Sequence, residues 1–531
     1  MLFRGAGRDS VIQPGRAGLR LHAFAVALSL FAAAGAPAVQ AGPLDTIFGS
    51  PTSLPASAAV EPLVNPPEFR SANGELRVTL EARKTRVKLG KFEINAATYN
   101  GVYGGPVLRV RPGDVLHVRL VNKLDQATNI HFHGLSVTPQ GRGDNSMKMI
   151  MPGETWDYEV PIPANHRPGL YWYHTHAHGF AERQLMAGLS GMLVIEGLQD
   201  ELAETRPLRE RLFALKEFQA DPKGDLSRVL KAYNLDIRTI NGQLMPRIDI
   251  QPGETQLWRL SNQTANTFFR LSLQGSTFRI VGRDSAPLPH PETANELIFG
   301  PSQRLDVLVD GPPPGAYRLV AERTLTGPIG DEFPAQNMAL MVSAPGAEPA
   351  PHLARALGDT EISQPIPESA VTEHRLVAFS SDDATGLFFI NHQVFDHERV
   401  DVQIPLGSVE EWTIRNASDE LHLFHIHQVP FQVVSINGKA VPFNGLVDTV
   451  TVPIRAEVKI RLAFTDPAIV GRFMFHCHLL EHEDKGMMAQ VEVYDPRTGP
   501  LPADGREGHE GSMPGMAMGP AAVADGGHGS H

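Results

Sequence analysis

The residues able to do chemistry concentrate in Phe475-His476-Cys477-His478-Leu479-Leu480-Glu481-His482-Glu483-Asp484-Lys485-Gly486-Met487, which holds the only cysteine of the chain. His476, His478, His482 and Met487 all stand within ten residues of that thiol. A thiolate, imidazoles and a thioether suit a copper site of the blue, electron-transfer type: two His, one Cys and a weak axial Met. The plainer explanation is a buried packing cysteine with coincidental neighbours. A histidine on each side of a lone Cys argues against it.

Strand geometry gives the spacing a meaning. If Phe473 to Leu479 is extended, successive side chains point to opposite faces. His476 and His478 then share one face and Cys477 takes the other. One strand can touch two metal centres, joined by covalent bonds through a single backbone segment. His482 and Met487 lie beyond the strand, where a turn or loop can return them to Cys477.

The remaining histidines repeat this pattern. Of 22 in the chain, 11 fall in four runs: Asn129-Ile130-His131-Phe132-His133-Gly134, Trp172-Tyr173-His174-Thr175-His176-Ala177-His178, His422-Leu423-Phe424-His425-Ile426-His427, and the Cys477 stretch. Each contains H-x-H, which puts two imidazoles on one face of a strand. One such pair is weak evidence; four, split between the first and last thirds of the chain, are specific.

In these four runs, in this order, the chain resembles the multicopper oxidases, a family that includes laccases, cuprous oxidases and bilirubin oxidases. The resemblance runs from about Glu75 to Tyr494 and implies four coppers per chain. Carried over residue by residue, it implies a type 1 copper on His422, Cys477 and His482, with Met487 axial. It implies a type 2 copper on His131 and His425. A type 3 pair would take His133, His174, His176, His427, His476 and His478. His178 is an additional histidine outside that set. Relatives use two acidic groups near the cluster for proton supply, and Glu483 and Asp144 match those positions as catalytic residues; Asp144 sits slightly further from its H-x-H than in close relatives.

Positioning these residues requires strands, and an internal repeat supplies them. Arg111-Pro112-Gly113-Asp114, leading into Val115 to Asn122, recurs as Gln251-Pro252-Gly253-Glu254, leading into Thr255 to Asn262. It recurs again from Pro405-Leu406-Gly407-Ser408 to Asn416. Each copy is a Gly turn, an alternating strand and a closing Asn, preceded by a hairpin signal: Asn100-Gly101, Asn241-Gly242 or Asn391-His392. The copies are a domain's length apart. With 49 Gly, 43 Pro and short alternating apolar runs, the chain is expected to be all-β. Three Greek-key β-sandwich domains follow, at 60–198, 212–343 and 372–495, and the resemblance implies that they are cupredoxin-like. The linkers fall near Gln199 to Arg211 and Ala344 to Val371. The middle copy continues as Phe268-Phe269-Arg270-Leu271-Ser272-Leu273, without histidines. It is therefore expected to be a copper-free spacer, with the copper ligands supplied by the first and third domains at their interface.

The ends differ in character. Residues 1–41 read as an export signal: Arg4, Arg8, Arg16 and Arg20, an apolar run from Ala23 to Ala34, then Val39-Gln40-Ala41 for cleavage. That run is too short to span a bilayer, and no other stretch is long and apolar enough. A periplasmic or secreted location is expected, by a Sec or twin-arginine route. A single Cys excludes an internal disulfide despite that oxidising destination. The segment 496–531 carries Met513, Met516, Met518, His509, His528 and His531 without apolar periodicity and reads as disordered. It is either a Cu(I)-collecting tail, since thioethers bind soft Cu(I), or solvated low-complexity sequence. Met147, Met149 and Met151 alternate on a loop, where core packing explains them as well as metal contact does.

The formal charge of −12, without a basic patch, excludes nucleic acid as a partner. The expected partners are dioxygen and a small reducing substrate, with the chain a monomer. By resemblance, electrons arrive through His482. An axial Met implies a moderate potential, which favours phenols, Cu(I), or metal ions such as Fe(II) and Mn(II). A copper-binding resistance protein with secondary oxidase activity is the main alternative. A copper nitrite reductase needs neither the His-Cys-His pattern nor eight cluster histidines, and copper-free structural relatives lose ligands that this chain keeps.

Overall fold

The structure, a computed structural model, describes residues 60–90, 92–201, 208–218, 237–284, 286–346, 363–382 and 384–501. The leader read over 1–41 and the tail from 502 to 531 lie outside the described residues. Among the described residues, no helix is long and apolar enough to cross a membrane.

Three pairs of sheets carry the chain. In the first, strands Phe92–Tyr99, Glu75–Leu89, Val115–Asn122 and Thr155–Pro161 lie side by side in that order. They face a sheet that ends on Gly169–His174 and, at its edge, His131–His133. The middle and last pairs each set a six-stranded sheet against a five-stranded one. Each sandwich has its own buried apolar core, around Leu116 and Val118, Trp258 and Leu260, and Trp412 and Ile414 respectively. The fold is all-β, built of three cupredoxin-like sandwiches.

The repeat explains the topology. Val115–Asn122 pairs in parallel with Glu75–Leu89, Thr255–Asn262 with Arg209–Phe218, and Ser408–Asn416 with Glu373–Asp382. Parallel neighbours cannot be joined by a hairpin. Between them the chain therefore crosses to the opposite sheet, through Val107–Val110, Arg247–Ile250 or Val402–Pro405.

The hairpin signals form two-residue turns with positive φ at both positions: 56° and 83° at Asn100-Gly101, 54° and 74° at Asn241-Gly242, 51° and 64° at Asn391-His392. This backbone matches the twist of the strands it joins. Each Asn amide also stitches the turn to a neighbouring strand. Its Oδ1 accepts from the N–H of Glu81, Ala214 or Ala378, and its Nδ2 donates to the carbonyl of Thr79, Leu212 or Leu376.

The closing asparagines Asn122, Asn262 and Asn416 are buried. Each donates to two carbonyls, those of Gln126 and Ile150, Thr267 and Phe299, or Glu420 and Val452. Each accepts from the amide two residues on, at Leu124, Thr264 or Ser418. The tied loop leads directly to His131 in the first copy and to His422 in the third.

At the start of the described chain the structure departs from the expected domain limit. Residues 60–65 run along the middle sandwich: Leu63 N–H donates to the Arg247 carbonyl at 2.7 Å, and Val64 N–H to Gln243 Oε1 at 2.8 Å. The cause is apolar burial, because Leu63 packs into the middle core.

Replacing a closing asparagine removes three hydrogen bonds to backbone groups, although the Thr267 and Glu420 carbonyls keep a hydroxyl donor, from Thr264 and Ser418. At roughly 1 kcal/mol per bond, Asn262→Ala and Asn416→Ala should each destabilise the copper-free protein by about 3 kcal/mol. Asn416→Ala alone should also disturb His422. Denaturant titration of both variants checks this, and a loss below about 1 kcal/mol would show that water replaces the amide.

Candidate metal centre

Alternation sorts the side chains. On His131–His133, Phe132 enters the first core with Tyr173 of the partner strand, and His131 and His133 take the other face. On Gly471–Cys477, Phe473, Phe475 and Cys477 enter the third core and His476 takes the other face. Register pairs His131 with His174, His425 with His476, and Phe424 with Cys477. His422 and His425 are three residues apart on one strand, so they serve opposite faces. His482 returns on a one-turn helix, Leu480–Asp484, where the sequence suggests a turn or loop.

The histidine faces of the first and third sandwiches meet. His131 stacks on His427 with ring centroids 3.7 Å apart, and His133 on His425 at 3.8 Å. Four groups form in which one ligand atom per residue lies within 4.8 Å of the others. They are His131, His133 and His425; His133, His174 and His478; His176, His427 and His476; and His422, Cys477 and His482. Met487 is buried in the same apolar cluster as Cys477. His178 packs edge-on against Phe395, with ring centroids 4.8 Å apart, and belongs to none of these groups.

The donor set suits copper. Six buried ring nitrogens of these grouped histidines have no hydrogen-bond partner: His131 Nε2, His133 Nδ1, His174 Nε2, His425 Nε2, and both nitrogens of His478. An unsatisfied buried polar atom costs roughly 1–3 kcal/mol. The sum matches the whole stability of an ordinary domain, about 5–15 kcal/mol. Rings arranged at that cost fit as ligands, not as packing.

Hydrogen bonds to the opposite nitrogens fix several of these rings. His174 Nδ1 donates to the Thr175 carbonyl at 2.8 Å, and His425 Nδ1 to the Asp448 carbonyl at 2.7 Å. At the cysteine, His422 Nδ1 and His482 Nδ1 lie 3.4 and 3.6 Å from Sγ. Ser418 Oγ lies 2.8 Å from His422 Nε2, and Glu420 Oε1 lies 3.6 Å from His482 Nε2. Burial pushes the free Cys477 thiol up to about 12, so metal binding must displace that proton.

Both carboxylates singled out in the sequence are buried among the rings. Glu483 lies 3.0 Å from His476 Nδ1 and 3.6 Å from His176 Nε2. Burial raises its pKa, with His176 opposing. Asp144 accepts from Phe132 N–H at 2.9 Å and Gln428 Nε2 at 2.6 Å, and lies 3.0 Å from His131 Nδ1. Burial pushes it up to about 7. The turn before it needs glycine: a Cβ at Gly143 would meet the Thr138 carbonyl at 2.3 Å.

Several neighbours escaped the sequence analysis. Ser418 and Gln428 flank the third histidine run and could have been suspected from that. Asp448 and Arg304 carry no local signal.

The middle sandwich, which adds no residue to these four groups, nevertheless grips the site. Its Ala265 carbonyl accepts from Leu480 N–H at 3.2 Å, and its Asn266 Oδ1 from Glu481 N–H at 3.5 Å, at the start of the His482 helix. Asp484 on that helix accepts from Gly179, Ala181 and Glu182 N–H, at the start of helix Ala181–Ala187 in the first sandwich. Each short helix therefore has backbone donors satisfied by another domain.

Comparison with known proteins bears on what this arrangement is. Three multicopper oxidase family models match residues 81–200, 172–345 and 366–497. The chain is similar to the multicopper oxidase mco of Staphylococcus haemolyticus, 26% identical over 79% of this chain and 89% of that protein. It is also similar to the cell division protein FtsP of Escherichia coli, 26% identical over 86% of this chain and 97% of that protein. Among solved structures, a multicopper oxidase from Campylobacter jejuni described as a metallo-oxidase matches with a TM-score of 0.70 and 28% identity, covering 82% of this chain and 96% of that one. The laccase-like CueO of Ochrobactrum sp., with oxidase activity towards lignin model compounds and lignosulfonate, matches at 0.69 and 27%, covering 81% and 100%.

The buried imidazoles make a pH prediction. Burial lowers the proton affinity of all eight rings of the cluster, His476 to about 4. An unfolded His titrates near 6.5. Between these values the unfolded chain binds protons that the folded chain does not, so stability falls as pH falls. The thermal midpoint of the copper-free protein should hold above about pH 6.5 and drop steadily towards pH 4. A flat profile would show that the rings take up protons in place.

Proposed function

The chain belongs to the multicopper oxidases, copper oxidoreductases that couple oxidation of a reducing substrate to reduction of dioxygen, and from that premise we propose how its own residues divide the work. His422, Cys477, His482 and Met487 hold the type 1 copper. His131 and His425 hold the type 2 copper. His133, His174, His176, His427, His476 and His478 hold the type 3 pair. The observation that carries this is the convergence of one thiol and ten imidazoles into four buried groups. When bound, copper supplies one-electron acceptance beside Cys477 and four-electron reduction of dioxygen to water among the eight cluster histidines.

The chain's part is to connect, orient and supply protons. Cys477 is bonded directly to His476 and His478, so one backbone segment links the two sites. Glu483 and Asp144, whose proton affinity burial raises, stand beside His476, His176 and His131 as the proton source. Electrons arrive at the His482 edge. There Phe388 stacks on the ring with centroids 4.0 Å apart, and Leu387 and Val394 are exposed nearby. Glu420, beside His482 Nε2, suits a donor that loses a proton or carries positive charge. Phenols and Cu(I) both meet that description, and the laccase-like and metallo-oxidase relatives support both. All ligands come from one chain, which supports a monomer, and the leader supports a periplasmic or secreted location. The domains are taken as 60–198, 212–343 and 372–495, with the strap at 60–65 lying against the middle one. The alternative remains a copper-binding resistance protein with secondary oxidase activity, favoured by the Met/His segment after 496.

The test is copper content, the blue absorption and oxygen uptake with a phenol, with Cu(I) and with no donor. Wild type should hold four coppers per chain and consume oxygen only with donor. Cys477→Ser should lose the blue band and turnover while keeping the type 3 pair. A blue Cys477→Ser protein would sink the assignment, and a wild type that binds copper without turnover would favour the resistance or cell-division type of role.

Glu483→Gln removes a titratable group at nearly constant size. Oxygen reduction should slow by roughly 100-fold, within the range for a positioned acid, while reduction of the blue copper by donor keeps its rate. Equal slowing of both half-reactions would assign Glu483 to structure or donor binding.

A further inference from the structure

Arg304 belongs to the sandwich that has no histidine run, yet its guanidinium ends on Asp448, directly behind the cluster. It is fully buried. Its Nη1 and Nη2 donate to Asp448 Oδ1 and Oδ2 at 2.8 and 2.5 Å, a two-pronged contact that fixes the plane of the carboxylate. Its Nε donates to the Leu170 carbonyl of the first sandwich at 3.1 Å, and Nη1 also to the Ser302 carbonyl at 2.9 Å. Ser302 Oγ lies 3.1 Å from Thr449 Oγ1, and Gln303 Nε2 donates to the Thr449 carbonyl at 3.3 Å. One short segment of the middle domain thus holds Asp448-Thr449 of the third and the carbonyl before Tyr171 of the first.

Asp448 passes that grip to two rings. Its Oδ1 lies 3.1 Å from His133 Nε2, and its main-chain carbonyl accepts from His425 Nδ1 at 2.7 Å. The nitrogens of those rings without partners are the opposite ones, His133 Nδ1 and His425 Nε2. The two rings stack at 3.8 Å and share a group with His131. Asp448 therefore sets which nitrogen each ring offers, one ring on either side of the boundary between the type 2 and type 3 ligand sets. There is no room to loosen this. A Cβ at Gly134 would stand 2.6 Å from Asp448 Oδ2 and 2.9 Å from Arg304 Nη2.

We propose that Arg304 is a positioning residue for the histidine cluster, acting through Asp448 on His133 and His425, and that the copper-free middle domain thereby sets copper occupancy and geometry at a site to which it gives no ligand. The inference rests on His133 and His425 being copper ligands. Wild-type protein is therefore assayed first: if it lacks the type 2 signal, the ligand reading fails before Arg304 is tested.

The experiment compares Arg304→Lys, Arg304→Gln, Asp448→Asn and Arg304→Gln/Asp448→Asn with wild type. The readouts are copper content, copper affinity of the copper-free protein, the type 2 electron paramagnetic resonance signal, the blue band and the thermal midpoint of the copper-free protein. Loss of a partner that orients a ligand typically weakens metal binding by about 10–100-fold. Arg304→Gln should lose cluster copper to that degree with an altered or missing type 2 signal, while the blue band at Cys477 stays. Arg304→Lys, which keeps the charge but not the fork, should show the same change in smaller measure. The double variant should be no worse at the cluster than the worse single one, since both substitutions cut one connection. If Arg304→Gln fails to fold, Arg304→Lys and Asp448→Asn decide. The proposal is overturned if the folded variants keep the wild-type type 2 signal and copper affinity. It is equally overturned if blue and cluster copper fall together in step with the thermal midpoint, because that is a purely structural role.

Discussion

Two sheets press eight uncharged imidazoles against each other, and everything else follows from keeping them uncharged and aimed. A ring in this position cannot take a proton without burying a charge beside seven neighbours. Nor can it choose its own tautomer, because which nitrogen faces inward depends on what the other nitrogen meets. The Thr175 and Asp448 carbonyls and the Asp448 and Asp144 carboxylates meet those other nitrogens. The apolar alternation of the strands brings the rings together, and the polar groups behind them determine what the rings can hold.

The three-fold repeat shows how one scaffold carries both an active and a silent version of this arrangement. Asn122, Asn262 and Asn416 make the same three kinds of backbone hydrogen bond in all copies. Downstream, the first and third copies place imidazoles on the outward face of the next strand, whereas the middle copy places Phe269, Leu271 and Leu273 inward and offers no ring outward. The silent copy puts its polar residues to use differently. Arg304, Ala265 and Asn266 reach into the other two domains and hold segments beside the clustered histidines.

What could be read from the chain beforehand divides along the same line. Period-two alternation is local, so His131, His133, His476 and Cys477 could be assigned to faces from sequence alone, and the Asn-Gly pairs marked the hairpins. Glu483 and Asp144 were accessible because they sit beside the histidine runs. Asp448 and Arg304 were not: Asp448 stands just before one ordinary strand and Arg304 opens another, and their meeting depends on how three sandwiches pack. The short strap at 60–65 was missed for a similar reason, since the preference of Leu63 for the middle core is a tertiary fact. The helix at 480–484 was too short for periodicity to reveal, and its ends are satisfied by other domains.

The cap that Asp484 places on helix Ala181–Ala187 joins residues some three hundred positions apart, as does the meeting of His176 with His476. On a ribosome these partners emerge at opposite ends of synthesis. The first sandwich is complete while its histidine face still lacks a counterpart, and that face stays open until nearly the last strand has been made. Contacts of such sequence separation form late and slowly. The pocket for metal is thus a property of the finished polypeptide, which separates the making of the chain in time from its charging with copper.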